Sequence, residues 1–170
     1  MINEVEHIPV LLEEVINALS LNKDDVYVDA TFGLGGYTKA ILSKQNCKVV
    51  AIDRDPQAKV YADNLKRTFK DRFYFRTGKF SELGKLLNEL KIYKVGGVVF
   101  DLGVSSPQLD LKDRGFSFKL DGTLDMRMSL KGPTAEEFLD EVQEGTLADI
   151  IYELGEEVFS KRIAKKIVYQ

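Results

Sequence analysis

Three short apolar runs in this chain, at 26–28, 48–52 and 95–100, are each closed by an aspartate: Asp29, Asp53 and Asp101. Between the first two lies a glycine-rich stretch, Gly33-Leu-Gly-Gly36, followed by the amphipathic segment 37–44. An apolar run, a glycine turn and an amphipathic stretch predict a parallel strand, a tight turn and a helix. Glycine at such a turn has no Cβ to block a ligand that approaches the backbone. An acid ~20 residues further on is suited to accept hydrogen bonds from ribose hydroxyls. Asp53 stands there.

The glycine pattern is a poor dinucleotide fingerprint. Gly33 and Gly35 fit its first two positions, but Thr38 stands where the third glycine belongs. In a parallel sheet the three aspartates converge on one crevice at the carboxyl ends of the strands. Three carboxylates would repel a pyrophosphate, which disfavours a nicotinamide-dependent oxidoreductase. They suit a ligand with ribose hydroxyls and positive charge, and S-adenosylmethionine carries an ammonium, a sulfonium and no phosphate. Aspartate also ends strands and opens turns for purely local reasons, so a single one would carry little.

Periodicity predicts helices over 9–19, 37–44, 56–69 and 80–91, alternating with strands over 26–30, 48–53, 72–77 and 95–100. That alternation is the pattern of an α/β parallel sheet with right-handed crossovers. After Asp101 the character changes. Segments 102–110 and 114–118 read as loops rich in Ser and Gly, and 124–128 is ambiguous. From Thr134 the pattern is helical, over 134–143, 146–153 and 155–168, and Thr134 with Glu137 resembles a capping box. No further strand follows, so four N-terminal strands lead into a helical segment.

With 170 residues and 44% hydrophobic content, one core is affordable. No apolar run approaches the ~20 residues of a membrane span. The acidic start has no secretory apolar region, and the lone Cys47 has no internal disulfide partner, so a reducing, cytoplasmic setting is expected. One Cys and one His (His7) cannot build a Cys/His zinc site, and no metal is expected. The net charge of −3 is not that of an avid nucleic-acid binder. Basic residues do gather locally, at Lys112, Arg114, Lys119, Arg127 and Lys131, and again at Lys161, Arg162, Lys165 and Lys166. The second group reads as a solvated helix face. His7 reads as a residue leading into a helix, Cys47 as a small packed residue. Phe116 and Phe118 are equally readable as stacking platforms for bases or as anchors on the core.

His7-Ile-Pro-Val-Leu-Leu-Glu-Glu-Val15, Asp29-Ala-Thr-Phe-Gly-Leu-Gly-Gly, Ala51-Ile-Asp-Arg-Asp-Pro56, Asp101-Leu-Gly-Val-Ser-Ser-Pro-Gln-Leu-Asp110, Arg114-Gly-Phe-Ser-Phe118 and Leu124-Asp-Met-Arg-Met128 occur in this order, and Gly155-Glu-Glu with Arg162-Ile-Ala follows. This ordered set closely resembles the bacterial ribosomal RNA small-subunit methyltransferase H family, also called MraW, over 7–168. The resemblance implies a class I S-adenosylmethionine-dependent methyltransferase with a Rossmann-like sheet. It implies methylation of the N4 amino group of a cytidine in small-subunit (16S) ribosomal RNA, with that RNA or the small subunit as partner. Residue by residue it implies cofactor contacts at Gly35, Gly36, Tyr37, Asp53, Phe80, Asp101 and Gln108. Gly35 and Gly36 would admit the methionine end, Asp53 take the ribose, Phe80 pack on adenine, and Asp101 and Gln108 sit near the reacting methyl. No general base is singled out. Two positions depart from the family: Tyr37 where His is usual, and Thr123 where Pro is usual. Family members also run well beyond the position of Gln170. The expectation is therefore an N-terminal piece: the first half of the cofactor domain over 1–110, then a loop region and the start of an inserted helical domain over 111–170. A truncated, inactive cofactor-binding remnant is the alternative function, and in such a piece 95–100 would form an exposed apolar edge.

Overall fold

The computed structural model describes residues 8–169. His7 lies outside them. The chain divides into two compact units, Met1–Ser106 and Pro107–Gln170.

The first unit is a four-stranded parallel sheet. Its strands are β1 (Val26–Asp29), β2 (Lys48–Asp53), β3 (Phe73–Thr77) and β4 (Gly97–Val99), in the order β3-β2-β1-β4. Strands buried on both faces are apolar at every position rather than at alternate ones, which is why β1 and β2 were legible as runs. Side chains still alternate between two cores. Tyr27, Val49 and Ala51 face one, with Ile16 of α1 (Leu12–Ala18), Ile41 and Leu42 of α2 (Gly36–Lys44), and Ala58 and Ala62 of α3 (Ala58–Phe69). Val28, Val50 and Ile52 face the other, packed by Leu83, Leu86 and Leu87 of α4 (Leu83–Glu89).

This division fixes where a ligand can sit. The chain steps outward from β1 to β2 to β3 with α2 and α3 on one face, then returns past β1 to β4 with α4 on the other. Right-handed crossovers require that change of face when the direction of winding reverses. The reversal lies between β1 and β4, and open α/β sheets bind ligands at the carboxyl ends of the strands at such a point.

Several boundaries differ from expectation for local reasons. The first helix opens at Leu12, three residues after Pro9, because Leu11 adopts a left-handed conformation, φ 51°. The expected helix over 80–91 is a 3-10 turn, Phe80–Glu82, followed by α4. β4 keeps only three of its six expected residues. A Cβ at Gly96 would lie 2.9 Å from the Tyr27 ring, and one at Gly97 would lie 2.6 Å from Leu19 Cδ2, so these glycines make room for buried neighbours. Among the described residues β4 pairs on one side only, with β1.

The second unit is helical: α5 (Ser106–Asp110), α6 (Ala135–Glu141), α7 (Glu144–Gly155) and α8 (Ser160–Val168). The sequence reading had 102–110 as loop. Pro107, with its φ already helical, sits in the first turn of α5 instead. The capping box is present: Glu137 N donates to Thr134 Oγ1 (3.1 Å) and Thr134 N donates to Glu137 Oε2 (2.8 Å). Leu147, Ala148 and Ala164 form a small core between α7 and α8. Lys161, Arg162, Lys165 and Lys166 are exposed on α8, as a solvated face should be. The other basic group is not uniform. Arg114 is buried, and its Nη2 donates to the carbonyls of Arg127 and Met128 (3.1 and 3.2 Å). Arg127 is paired with Asp125 at 2.6 Å. Phe118 stands fully exposed while Phe116 is half-buried.

Candidate functional site: an acidic crevice at the sheet switch point

Asp29 ends β1 and is completely buried. Thr38 Oγ1, one turn into α2, donates to its Oδ2 at 2.7 Å, and the Thr31 amide donates to its Oδ1 at 3.4 Å. Asp53 ends β2 and is half-buried. Its Oδ2 accepts from the Gly33 amide at 2.7 Å and its Oδ1 from the Asp55 amide at 2.8 Å. The glycine turn is thus moored to both aspartates. Each carboxylate oxygen of Asp53 keeps acceptor capacity for a further donor. Asp101 lies just beyond β4, exposed, with its amide donating to Thr31 Oγ1 at 2.7 Å.

Electrostatics bring these groups together. Burial pushes the Asp29 carboxyl from 3.8 up to about 6, against the Thr38 and Thr31 hydrogen bonds and helped by the charge of Asp53. Burial also raises Asp53, where backbone amides of Asp55 and Gly33 resist and the Asp55 charge adds. The Tyr37 phenol is raised by burial first, then by the carboxylates of Asp101 and Asp29. The carboxyl edge of the sheet is therefore an electronegative cleft that disfavours anions.

The glycines have another purpose than the one read from sequence. Gly35 adopts φ 82°, and a Cβ on it would lie 2.7 Å from both the Phe32 ring and Leu65 Cδ1. A Cβ on Gly36 would overlap Pro9 Cγ. Their missing side chains admit neighbouring protein groups. The Cβ argument for ligand access does not hold at either position. Tyr37 is likewise committed: it is buried, and its hydroxyl donates to the Val10 carbonyl, tethering the segment that leads into α1.

Phe80, after β3, is half exposed and meets Phe100, after β4, edge to face with ring centroids 5.6 Å apart. Those strands are the two edges of the sheet among the described residues. Gln108 is buried on α5, in the second unit. Sequence reasoning missed Thr31, Thr38 and Phe100. Hydroxyls two and nine residues after Asp29 were the available signal, since Thr near Asp often completes a turn or cap. Cys47 is buried in the core with its thiol directed at the Ile41 carbonyl (3.8 Å), and burial raises it. Among the described residues no group of three or more His, Cys, Asp or Glu side chains could hold a metal ion. No described helix is long and apolar enough to cross a membrane.

Fold and site together define a Rossmann-like α/β domain whose crevice carries carboxylates. Residues 4–170 match the model of the MraW methylase family, and the chain belongs to that family. It is 51% identical over 162 residues to "Ribosomal RNA small subunit methyltransferase H" of Rickettsia bellii (strain OSU 85-389), covering 95% of this chain and 52% of that protein. The protein of the same name from Paramagnetospirillum magneticum (strain ATCC 700264 / AMB-1) is 49% identical, with 95% and 51% covered. The chain spans about half the length of the curated relatives it matches. A solved rRNA methylase from Streptococcus thermophilus is similar at 23% identity and TM-score 0.44, over 58% of this chain and 57% of that one.

Proposed function

We propose that this chain binds S-adenosylmethionine in the acidic crevice and belongs to an enzyme that methylates the N4 amino group of a cytidine in small-subunit ribosomal RNA. The observation that carries the reading is the aspartate at the end of β1, of β2 and just past β4, in a chain of the MraW methylase family. The residues fit such a cofactor. Two carboxyls, the buried Asp29 and the half-buried Asp53, are raised above their ordinary range, and a positive charge beside them relieves that strain, whereas a pyrophosphate aggravates it.

In this reading Asp53 accepts from the ribose hydroxyls with the capacity its amide partners leave. Phe80, steadied by Phe100, packs on the adenine. Backbone groups of Gly35, Gly36 and Tyr37 line the methionine end, and Asp101 faces it from β4. Bound there, the cofactor supplies an electrophilic methyl on a positively charged sulfur. A cytosine amino group is a weak nucleophile, so the protein's contribution is chiefly alignment of the amine with that methyl. The base leaves its stack to reach the crevice.

Calorimetric titration with S-adenosylmethionine and, separately, NAD tests the cofactor. Methyl transfer from labelled S-adenosylmethionine to small ribosomal subunits, with nucleoside analysis, tests the reaction. Label in N4-methylcytidine supports the proposal. Preferential NAD binding, or label confined to another nucleoside, overturns it.

A further inference from the structure

We infer that Thr31 is a positioning residue: its hydroxyl accepts the Asp101 amide and so holds the Asp101 carboxylate at the mouth of the crevice beside Asp29. The inference rests on the reading of Asp101 as a cofactor contact.

Asp101 needs such a hold. The last backbone bond joining the β1 and β4 chains runs from the Ala30 amide to the Val99 carbonyl, at 2.9 Å. Beyond it the chain has left the sheet. Gly103 follows with φ 149° and open space where a Cβ would stand. Between these limits the 2.7 Å bond to Thr31 Oγ1 fixes the peptide that carries Asp101.

Thr31 can bear that load because it is itself fixed. Its amide donates to Asp29 Oδ1. Its neighbours Ala30 and Phe32 are buried, and the Phe32 amide donates to the Ile52 carbonyl at 3.0 Å. Thr31 therefore joins the end of β1 to the chain beyond β4, and its neighbour Phe32 ties the same turn to β2. The raised Tyr37 phenol, which feels both Asp101 and Asp29, is consistent with the two carboxylates facing the same space. A hydroxyl is the feature that matters. Valine has threonine's shape without the acceptor and would leave the Asp101 amide without its partner, while serine keeps the oxygen.

The test is calorimetric titration of S-adenosylmethionine into the parent chain, Thr31→Val, Thr31→Ser, Asp101→Ala and the Thr31→Val/Asp101→Ala double variant, with thermal unfolding of each. Thr31→Ala replaces Thr31→Val in the comparison if valine prevents folding. We expect Thr31→Val to weaken binding about tenfold, the order of one hydrogen bond, and Thr31→Ser to stay within about twofold. In the Asp101→Ala background the valine change should add less than about twofold, because the carboxylate it positions is gone. Parent-like affinity in Thr31→Val overturns the inference. So does a tenfold loss that persists in full in the Asp101→Ala background, which would make Thr31 a support of the loop alone. Parent-like binding by Asp101→Ala overturns the reading of Asp101 itself, and the inference with it.

Discussion

Replacing Asp29 by asparagine measures what the acidic crevice costs the fold. The side chain is fully buried, and burial lifts its carboxyl from 3.8 to about 6. Because the folded value lies above the unfolded one, the native state keeps a proton that the unfolded chain has released between those two pH values. Below 3.8 both states are protonated and the contribution to stability is whole. As pH rises through the window the contribution is lost at ~1.4 kcal/mol per pH unit, reaching about 3 kcal/mol once pH exceeds about 6. Asparagine has the same shape and no charge. Its Oδ1 can accept from the Thr31 amide, and its Nδ2 can donate to Thr38 Oγ1, reversing the sense of that bond without losing it. The assay is urea unfolding of both proteins from about pH 4 to about pH 8, read as the difference between them so that other titrations cancel. Near parity is expected at the acid end, and an advantage of about 3 kcal/mol for Asp29→Asn above neutrality. A difference flat to within about 0.5 kcal/mol across the range refutes the reasoning, because it would mean the buried carboxylate carries no penalty.

Asp53→Ala should weaken S-adenosylmethionine binding by about 1.5–3 kcal/mol, the order for losing charge-assisted hydrogen bonds; an unchanged dissociation constant in a folded variant removes Asp53 from the site. Gly35→Ala should cost about 2–4 kcal/mol of stability in denaturant unfolding, since it forces a Cβ into the Phe32 ring at a left-handed φ; a cost below about 0.5 kcal/mol would show that the turn yields freely. Cys47 should resist a thiol reagent in the folded protein and react at once in denaturant, because its thiol is both buried and raised; rapid modification under native conditions contradicts that.

The sheet was legible because buried parallel strands are written as uninterrupted apolar runs. The range expected for β2, 48–53, is the range found, Lys48–Asp53. The run at 95–100 was read too long because apolarity also serves contacts outside the ladder. Val95 packs on the second core and Phe100 pairs with Phe80. The aspartates stood out as strand ends, but a linear pattern cannot tell which atoms they meet. Thr38 looked like a defect in a glycine motif and proves to be the hydroxyl that holds Asp29. Gly35 and Gly36 were rightly singled out, yet the direction in which a Cβ would point is a property of the turn, not of the letters. Arg114 reads as one more surface base, and only the folded loop turns its guanidinium onto two carbonyls.

Two demands meet in the carboxylates of Asp29 and Asp53. As acceptors they moor the glycine turn, through Thr31 and Thr38 at one and Gly33 and Asp55 at the other. As charges they are withdrawn from water, which raises both, and a neighbouring carboxylate adds to each, Asp53 at Asp29 and Asp55 at Asp53. Mooring alone does not require charge: a neutral amide or hydroxyl side chain accepts from N–H groups without the desolvation cost. Charge becomes useful when something positive enters the cleft. On the proposed reading, a cationic cofactor beside Asp29 favours its charged form and offsets part of the cost of burying that charge. Stability and affinity are then linked through one group: the features that make the empty domain less stable above about pH 6 are those that favour a cation over a phosphate.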